Sequence, residues 1–334
     1  MFHHNRIRSC AMVTAVALTA ATGGLAWAQT QALRVGTSSS GSVFYTLAVG
    51  LSSMLTKHAK IAATAEPVGG SSANMFAINA DKIDVAIVNA MAGVDGYHGA
   101  KPFKGKINVG LIAQGAQSLR QIIVRTGSGI EKPEDLVGKT IIGKRPALPE
   151  IELFLNALLK VYNIAPGKLK IVSTTNTGEA INAIKGDTVD AVVIPGSAKA
   201  SYLQSLSHDG KIKFLHIPDD KFKAMTALLP KAMTAAKLPA NVYPGQDKPV
   251  NVYSISTYLV AASRLSDDTV YKVAATLFDN LKEFQTFHSA AKEWTLKETL
   301  DDPKIPYHPG AIRYFKEKKL WTAELDKLQV ANKR

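Results

Sequence analysis

The chain is almost without cysteine: Cys10 is the only one in 334 residues. A packed core must hold the protein together in place of a disulfide framework, and 46% hydrophobic residues suffice for that. There is no Gly-x-Gly-x-x-Gly fingerprint and no phosphate-binding P-loop. Ser42 follows Gly41, but the run Ser40-Gly41-Ser42-Val43-Phe44 lacks the Gly-x-Ser-x-Gly elbow that presents a serine nucleophile. The histidines at 58, 98, 208, 216, 288 and 308 show no ligand-pair spacing, and they have no cysteine beside them. Acidic pairs such as Asp219-Asp220, Asp267-Asp268 and Asp301-Asp302 fall at turns or helix starts, where capping explains them. No catalytic residue, metal or cofactor is therefore expected.

Acidic residues are also in deficit, 27 against 40 lysines and arginines, for a formal charge of +13. The basic residues are spread along the chain, densest at 101–106 and 316–319. That distribution reads as a solvated surface and not as a nucleic-acid-binding arm. A positive field still concentrates small anions near a cleft.

Residues 1–28 read as a secretory signal peptide. Arg6 and Arg8 give a positive start, 11–21 an apolar stretch, and Ala26-Trp27-Ala28 a small-residue cleavage site. A membrane anchor fits less well. Thr14, Thr19, Thr22, Gly23 and Gly24 interrupt the run, which falls short of the roughly 20 apolar residues that a span needs. Cleavage after Ala28 leaves a cysteine-free chain, expected to be a periplasmic, soluble monomer of two ordinary domains.

From Leu33 onward one pattern occurs twice. The apolar run 33–37 leads through the turn 38–42 into a helical stripe at 45–58. The run 61–68 leads through Gly69-Gly70-Ser71-Ser72 into a helix at 73–80, and 84–89 closes the unit as a buried strand. The same order returns as 140–143, the turn 144–149, a helix at 151–162, a strand at 169–173, the turn 174–177, a helix at 178–185 and a strand at 190–194. Val35 to Asp84 and Ile141 to Asp190 are each 49 positions apart (84 − 35 and 190 − 141). Uninterrupted apolar runs at 85–88 and 191–194 suit strands covered on both faces of a parallel sheet.

Two β-α-β-α-β units predict two α/β lobes, with a cleft where strands end and helices begin. The segments 121–125 and 251–262 read as crossings between them, and 230–249 as loop. Ser266 caps a helix carrying Val270, Val273, Leu277, Phe278 and Leu281 on one face. A last helix follows His308-Pro309-Gly310. The division expected is 29–122 plus 256–334 for lobe 1 and 123–255 for lobe 2.

The Ser/Gly turns are the candidate site. A turn that feeds a helix presents free N–H groups and a positive dipole end, which suits a carboxylate or phosphate. Ser38, Ser39, Gly41 and Ser42 form the first such turn, and Ser71 and Ser72 belong to the second. Arg145, in the loop after 140–143, faces the first turn in the duplicated scheme and can hold a carboxylate with two N–H bonds, or form a lobe–lobe salt bridge. Asn89, Pro195 and Gly196 end the corresponding last strands. Phe44 and Tyr45 either pack against the apolar part of a ligand or belong to the core.

Several segments resemble one family: Gly41-Ser42-Val43-Phe44-Tyr45, Pro67-Val68-Gly69-Gly70-Ser71-Ser72-Ala73-Asn74, residues 84–89, Gly127-Ser128-Gly129-Ile130, and residues 307–314 with His308-Pro309-Gly310-Ala311. They look like the TAXI family, the solute receptors of tripartite ATP-independent periplasmic (TRAP) transporters, from about Leu33 to Leu320. The resemblance implies a type II periplasmic binding-protein fold, two α/β lobes joined by two hinge strands with a ligand cleft between them. It also implies a receptor without catalytic activity, a small carboxylate such as glutamate or 2-oxoglutarate as ligand, and delivery to a membrane permease. Carried over by position, the site comprises residues 38–45, Ser71, Ser72, Asn89 and the loop after Gly143. Where the family's second loop carries Gly-Ser-Gly, this chain has Lys144-Arg145-Pro146-Ala147-Leu148-Pro149, which leaves open whether Arg145 replaces that anion loop. Two other functions remain open: a sensory receptor that presents its bound form to a membrane kinase, and a periplasmic transferase.

Overall fold

The computed structural model describes residues 32–333, so the expected signal peptide lies outside the described residues. The first repeat forms as β1 (Leu33–Thr37), α1 (Val43–Met54), β2 (Ala63–Pro67), α2 (Ser71–Asn79) and β3 (Val85–Asn89), followed at once by α3 (Ala90–His98). After the long strand β4 (Val109–Arg125), the second forms as β5 (Thr140–Lys144), α4 (Glu150–Val161), β6 (Lys170–Ser173), α5 (Thr177–Lys185) and β7 (Ala191–Gly196). Both set their parallel strands in the same order, β2-β1-β3 and β6-β5-β7.

One aspartate in each repeat explains the common spacing. Asp84 and Asp190 directly precede β3 and β7. Each accepts the backbone N–H of the residue 50 positions earlier, Arg34 at 2.9 Å and Thr140 at 3.0 Å. Each also meets an arginine, Asp84 with Arg34 at 2.9 Å and Asp190 with Arg125 at 2.7 Å. Burial opposes the charge on both carboxylates, but these donors hold them below the usual carboxylate range.

The remaining strands join the two halves. After α6 (Ser201–His208) come β8 (Ile212–Phe214), α7 (Asp219–Thr226), β9 (Thr234–Leu238) and β10 (Val250–Ala262). The ten strands form one sheet in which β4 and β10 lie side by side, antiparallel, between β3 and β7. The expected crossing at 121–125 is the end of a 17-residue strand. Its first part was hidden because Gln114, Gly115, Gln117 and Ser118 break the apolar run. The expected loop at 230–249 contains β9, which pairs with β10 but is mostly exposed and so carries little apolar signal. The boundaries drawn at 122/123 and 255/256 fall inside β4 and β10.

The C-terminal region comprises α8 (Asp267–Asp279), α9 (Leu281–Phe287), α10 (Leu296–Leu300), α11 (Pro309–Glu317) and α12 (Ala323–Ala331). Ser266 caps α8, its hydroxyl accepting the Thr269 N–H at 3.1 Å. α8 and α9 pack on α1, while α10 and α11 touch β4. His308 is a helix cap too: its Nδ1 accepts the Gly310 N–H at 3.2 Å. A Cβ on Gly310 would come within 2.2 Å of the Asp267 carbonyl oxygen, so only glycine lets α11 meet the start of α8 this closely. Among the described residues, no helix is long and apolar enough to cross a membrane.

Candidate functional site

The connections that follow the parallel strands converge from both halves. From the first come the turn after β1, the Gly69-Gly70 turn before α2, and Asn89 at the end of β3. From the second come the loop 145–149, the first residues of α4 and α5, and the end of β7. Direct bonds join them. The Ser72 N–H donates to the Ala147 carbonyl at 3.1 Å, and Asn89 Nδ2 donates to Glu150 Oε1 at 2.8 Å. Gly70 makes room for this approach: a Cβ there would meet Ala147 at 3.0 Å, and its φ of +155° is one that side chains disfavour.

The junction lines a small, half-open cavity of about 40 Å³. Six residues named from the sequence line it: Ser38, Ser42, Phe44, Ser71, Pro195 and Gly196. Val43, Gly70, Ser118, Arg120, Leu148, Thr177 and Tyr202 complete the wall. The other named residues stand outside it. Gly41 is exposed and Ser39 half-buried on the first turn, and Tyr45 is half-buried in the first turn of α1. The Tyr45 N–H donates to Ser42 Oγ at 3.2 Å. Ser72 is buried on α2. Asn89 caps α3 by accepting the Ala92 N–H at 2.8 Å, besides holding Glu150.

Arg145 reaches the first turn, though not as a loop residue open to a ligand. It is 3% exposed. It donates to Thr177 Oγ1 at 2.9 Å, to Ser38 Oγ at 3.4 Å and to the Gly69 carbonyl. Burial, and then the like charge of Arg120, lower its pKa to about 10, with Glu150 opposing, so it stays charged at neutral pH.

The arginine in the wall is Arg120 of β4, 1% exposed. Its Nε and Nη2 both donate to Glu150 Oε1, and Nη1 donates to Ser118 Oγ at 2.7 Å and to the Leu119 carbonyl at 3.0 Å. One Nη2 hydrogen is left over. Glu150, the first residue of α4, is fully buried, and its Oε2 has no partner. Sequence reasoning missed this pair. The signal was a charge set inside an apolar strand, Leu119-Arg120-Gln121-Ile122, which only a buried partner can support. Glu150 itself reads as an ordinary acid at a helix start.

The hydroxyls in the wall share one property. Ser42 accepts from Tyr45 N–H, Ser71 from Asn89 N–H at 2.9 Å, Ser118 from Arg120, and Thr177 and Ser38 from Arg145. A hydroxyl oxygen that already accepts keeps its own proton to give. Tyr202 is spent differently, donating to the Pro195 carbonyl, and burial raises its pKa. The wall is therefore a set of O–H donors around one guanidinium, an arrangement that stabilises negative charge.

Several solved structures share this fold. MatC from Rhodopseudomonas palustris, determined with malate, superimposes with a TM-score of 0.56 at 11% identity, over 90% of this chain and 98% of that one. The periplasmic binding protein BugD gives 0.55 at 12% identity, over 90% and 95%. PhnD1 from Prochlorococcus marinus (MIT 9301), determined with methylphosphonate, gives 0.54 at 10%, over 87% and 99%. The fold is thus that of the α/β solute-binding proteins. At the level of sequence the model of the NMT1-like family matches residues 35–318, and the chain belongs to that family.

Proposed function

We propose that this protein is a periplasmic solute receptor that captures a small organic carboxylate and hands it to a TRAP-type membrane permease, as a member of the TAXI group. The observation that carries the carboxylate is the cavity wall, with five hydroxyls whose oxygens already accept and Arg120 with an N–H to spare. Each of those hydroxyls has a proton to give and Arg120 adds a positive charge, which together favour an anion over a sugar or a cation. The fold supports binding without chemistry, since no nucleophile–base pair lies among the lining residues. The permease and the periplasmic setting rest on the resemblance in the turns and on the leader-like residues 1–28.

Mass spectrometry of ligand released from the purified protein, followed by calorimetry with that ligand, tests the reading. An organic acid is the expected outcome. A sugar, an amine or a metal ion in its place overturns it.

A further inference from the structure

The charges around the cavity do not cancel. Arg120 is the only charged residue in the wall. Glu150 compensates it through two bonds to a single oxygen. Arg145 has no such partner: all its bonds go to hydroxyl and carbonyl oxygens, and its Nε has none. Glu179, the carboxylate that acts on it from α5, is exposed and bound to Thr175 and Asn176. The buried set of Arg120, Glu150 and Arg145 therefore carries one net positive charge.

The room fits the same reading: about 40 Å³ of water-accessible space in a half-open cavity suits a short carboxylate such as acetate or lactate.

We propose that Glu150 sets the charge of the solute, so that the site takes a short, singly charged carboxylate. The inference rests on the carboxylate reading above and narrows it away from dianions such as 2-oxoglutarate. Glu150 acts here as a positioning residue: it fixes Arg120 and cancels its charge without standing in the wall. A second negative charge on the ligand would be buried uncompensated, which is costly.

Calorimetry with acetate, L-lactate and L-malate on the wild type, on Glu150→Gln and on Arg120→Gln/Glu150→Gln tests it. In the wild type the better monocarboxylate should bind at least tenfold more tightly than malate. Glu150→Gln frees the Arg120 charge and should shift that ratio towards malate by tenfold or more. The double variant removes both charges and should return to the wild-type preference at lower affinity, which also serves if the single variant does not fold. A merely structural role for Glu150 would weaken all three ligands alike. Malate bound as tightly as lactate by the wild type, an unchanged ratio in Glu150→Gln, or a malate preference in the double variant overturns the inference and leaves the carboxylate reading standing. Binding of no carboxylate at all by the wild type overturns both.

Discussion

Arg120 and Glu150 show what one buried pair imposes at the scale of a residue. The pair is 1% and 0% exposed, and further donors surround it. Removing one partner leaves the other charged and without water. Arg120→Ala should cost about 3–5 kcal/mol of stability, while replacing both residues by apolar ones of similar volume should cost far less. Urea unfolding of the three proteins checks this, and equal losses would show that the pair is not coupled. Arg145 follows the same logic. Its hydrogen bonds are made by a charged group, so Arg145→Ala should cost about 1.5–3 kcal/mol in the same assay. The sequence placed Arg145 near the first turn because the repeat aligns the loop after β5 with the turn after β1. It could not show that the guanidinium would be used up by Gly69, Ser38 and Thr177. Partners that lie 107 and 32 positions away are set by tertiary packing, not by spacing within one element.

Among elements, the junction of α8 and α11 is tightly constrained. Gly310→Ala would drive a methyl group into the Asp267 carbonyl, a backbone atom that cannot swing away. A loss of about 1–3 kcal/mol is expected, as for other overpacked sites, read as a lower thermal midpoint. The His308 cap adds a pH dependence. Burial lowers the pKa of the imidazole; the Asp267 carboxylate and a backbone bond at Leu265 oppose this. The folded state thus favours the neutral ring, whose Nδ1 accepts the Gly310 N–H. The unfolded chain takes up a proton below about pH 6.5. Stability from this residue is therefore complete above that pH and is lost as pH falls through the lowered folded value. His308→Asn keeps a capping side chain without a titrating one, and its melting temperature should fall less between pH 7 and pH 5. The repeats were legible because β-α-β-α-β patterning is local and recurs with the Asp84 and Asp190 spacing. The long strand β4 was not, because its polar positions are satisfied by distant groups: Gln114 donates to the Glu298 and Asp301 carbonyls.

At the scale of the whole molecule, the two halves meet at the cavity through hydrogen bonds and the packing of Val43, and they share β4 and β10. Asn89 to Glu150 and Arg145 to Gly69 are two of these bonds. Cutting both, as Asn89→Ala with Arg145→Ala, should enlarge the radius of gyration of the free protein in small-angle scattering. An unchanged radius would mean that β4 and β10 alone hold the halves in place. The way those strands are laid out has a further consequence, for the order of assembly. Everything between β4 and β10 is continuous chain, so the half built on β5, β6 and β7 can collapse as soon as it has been made. The half built on β1, β2 and β3 cannot. Its strand β3, five residues all buried in the finished sheet, has its outer neighbour in β10, near the other end of the chain. Until β10 arrives, β3 is an open apolar edge, and such edges recruit other chains. The first part to be made is thus the last to be completed, and crowding during synthesis should harm this half before the other.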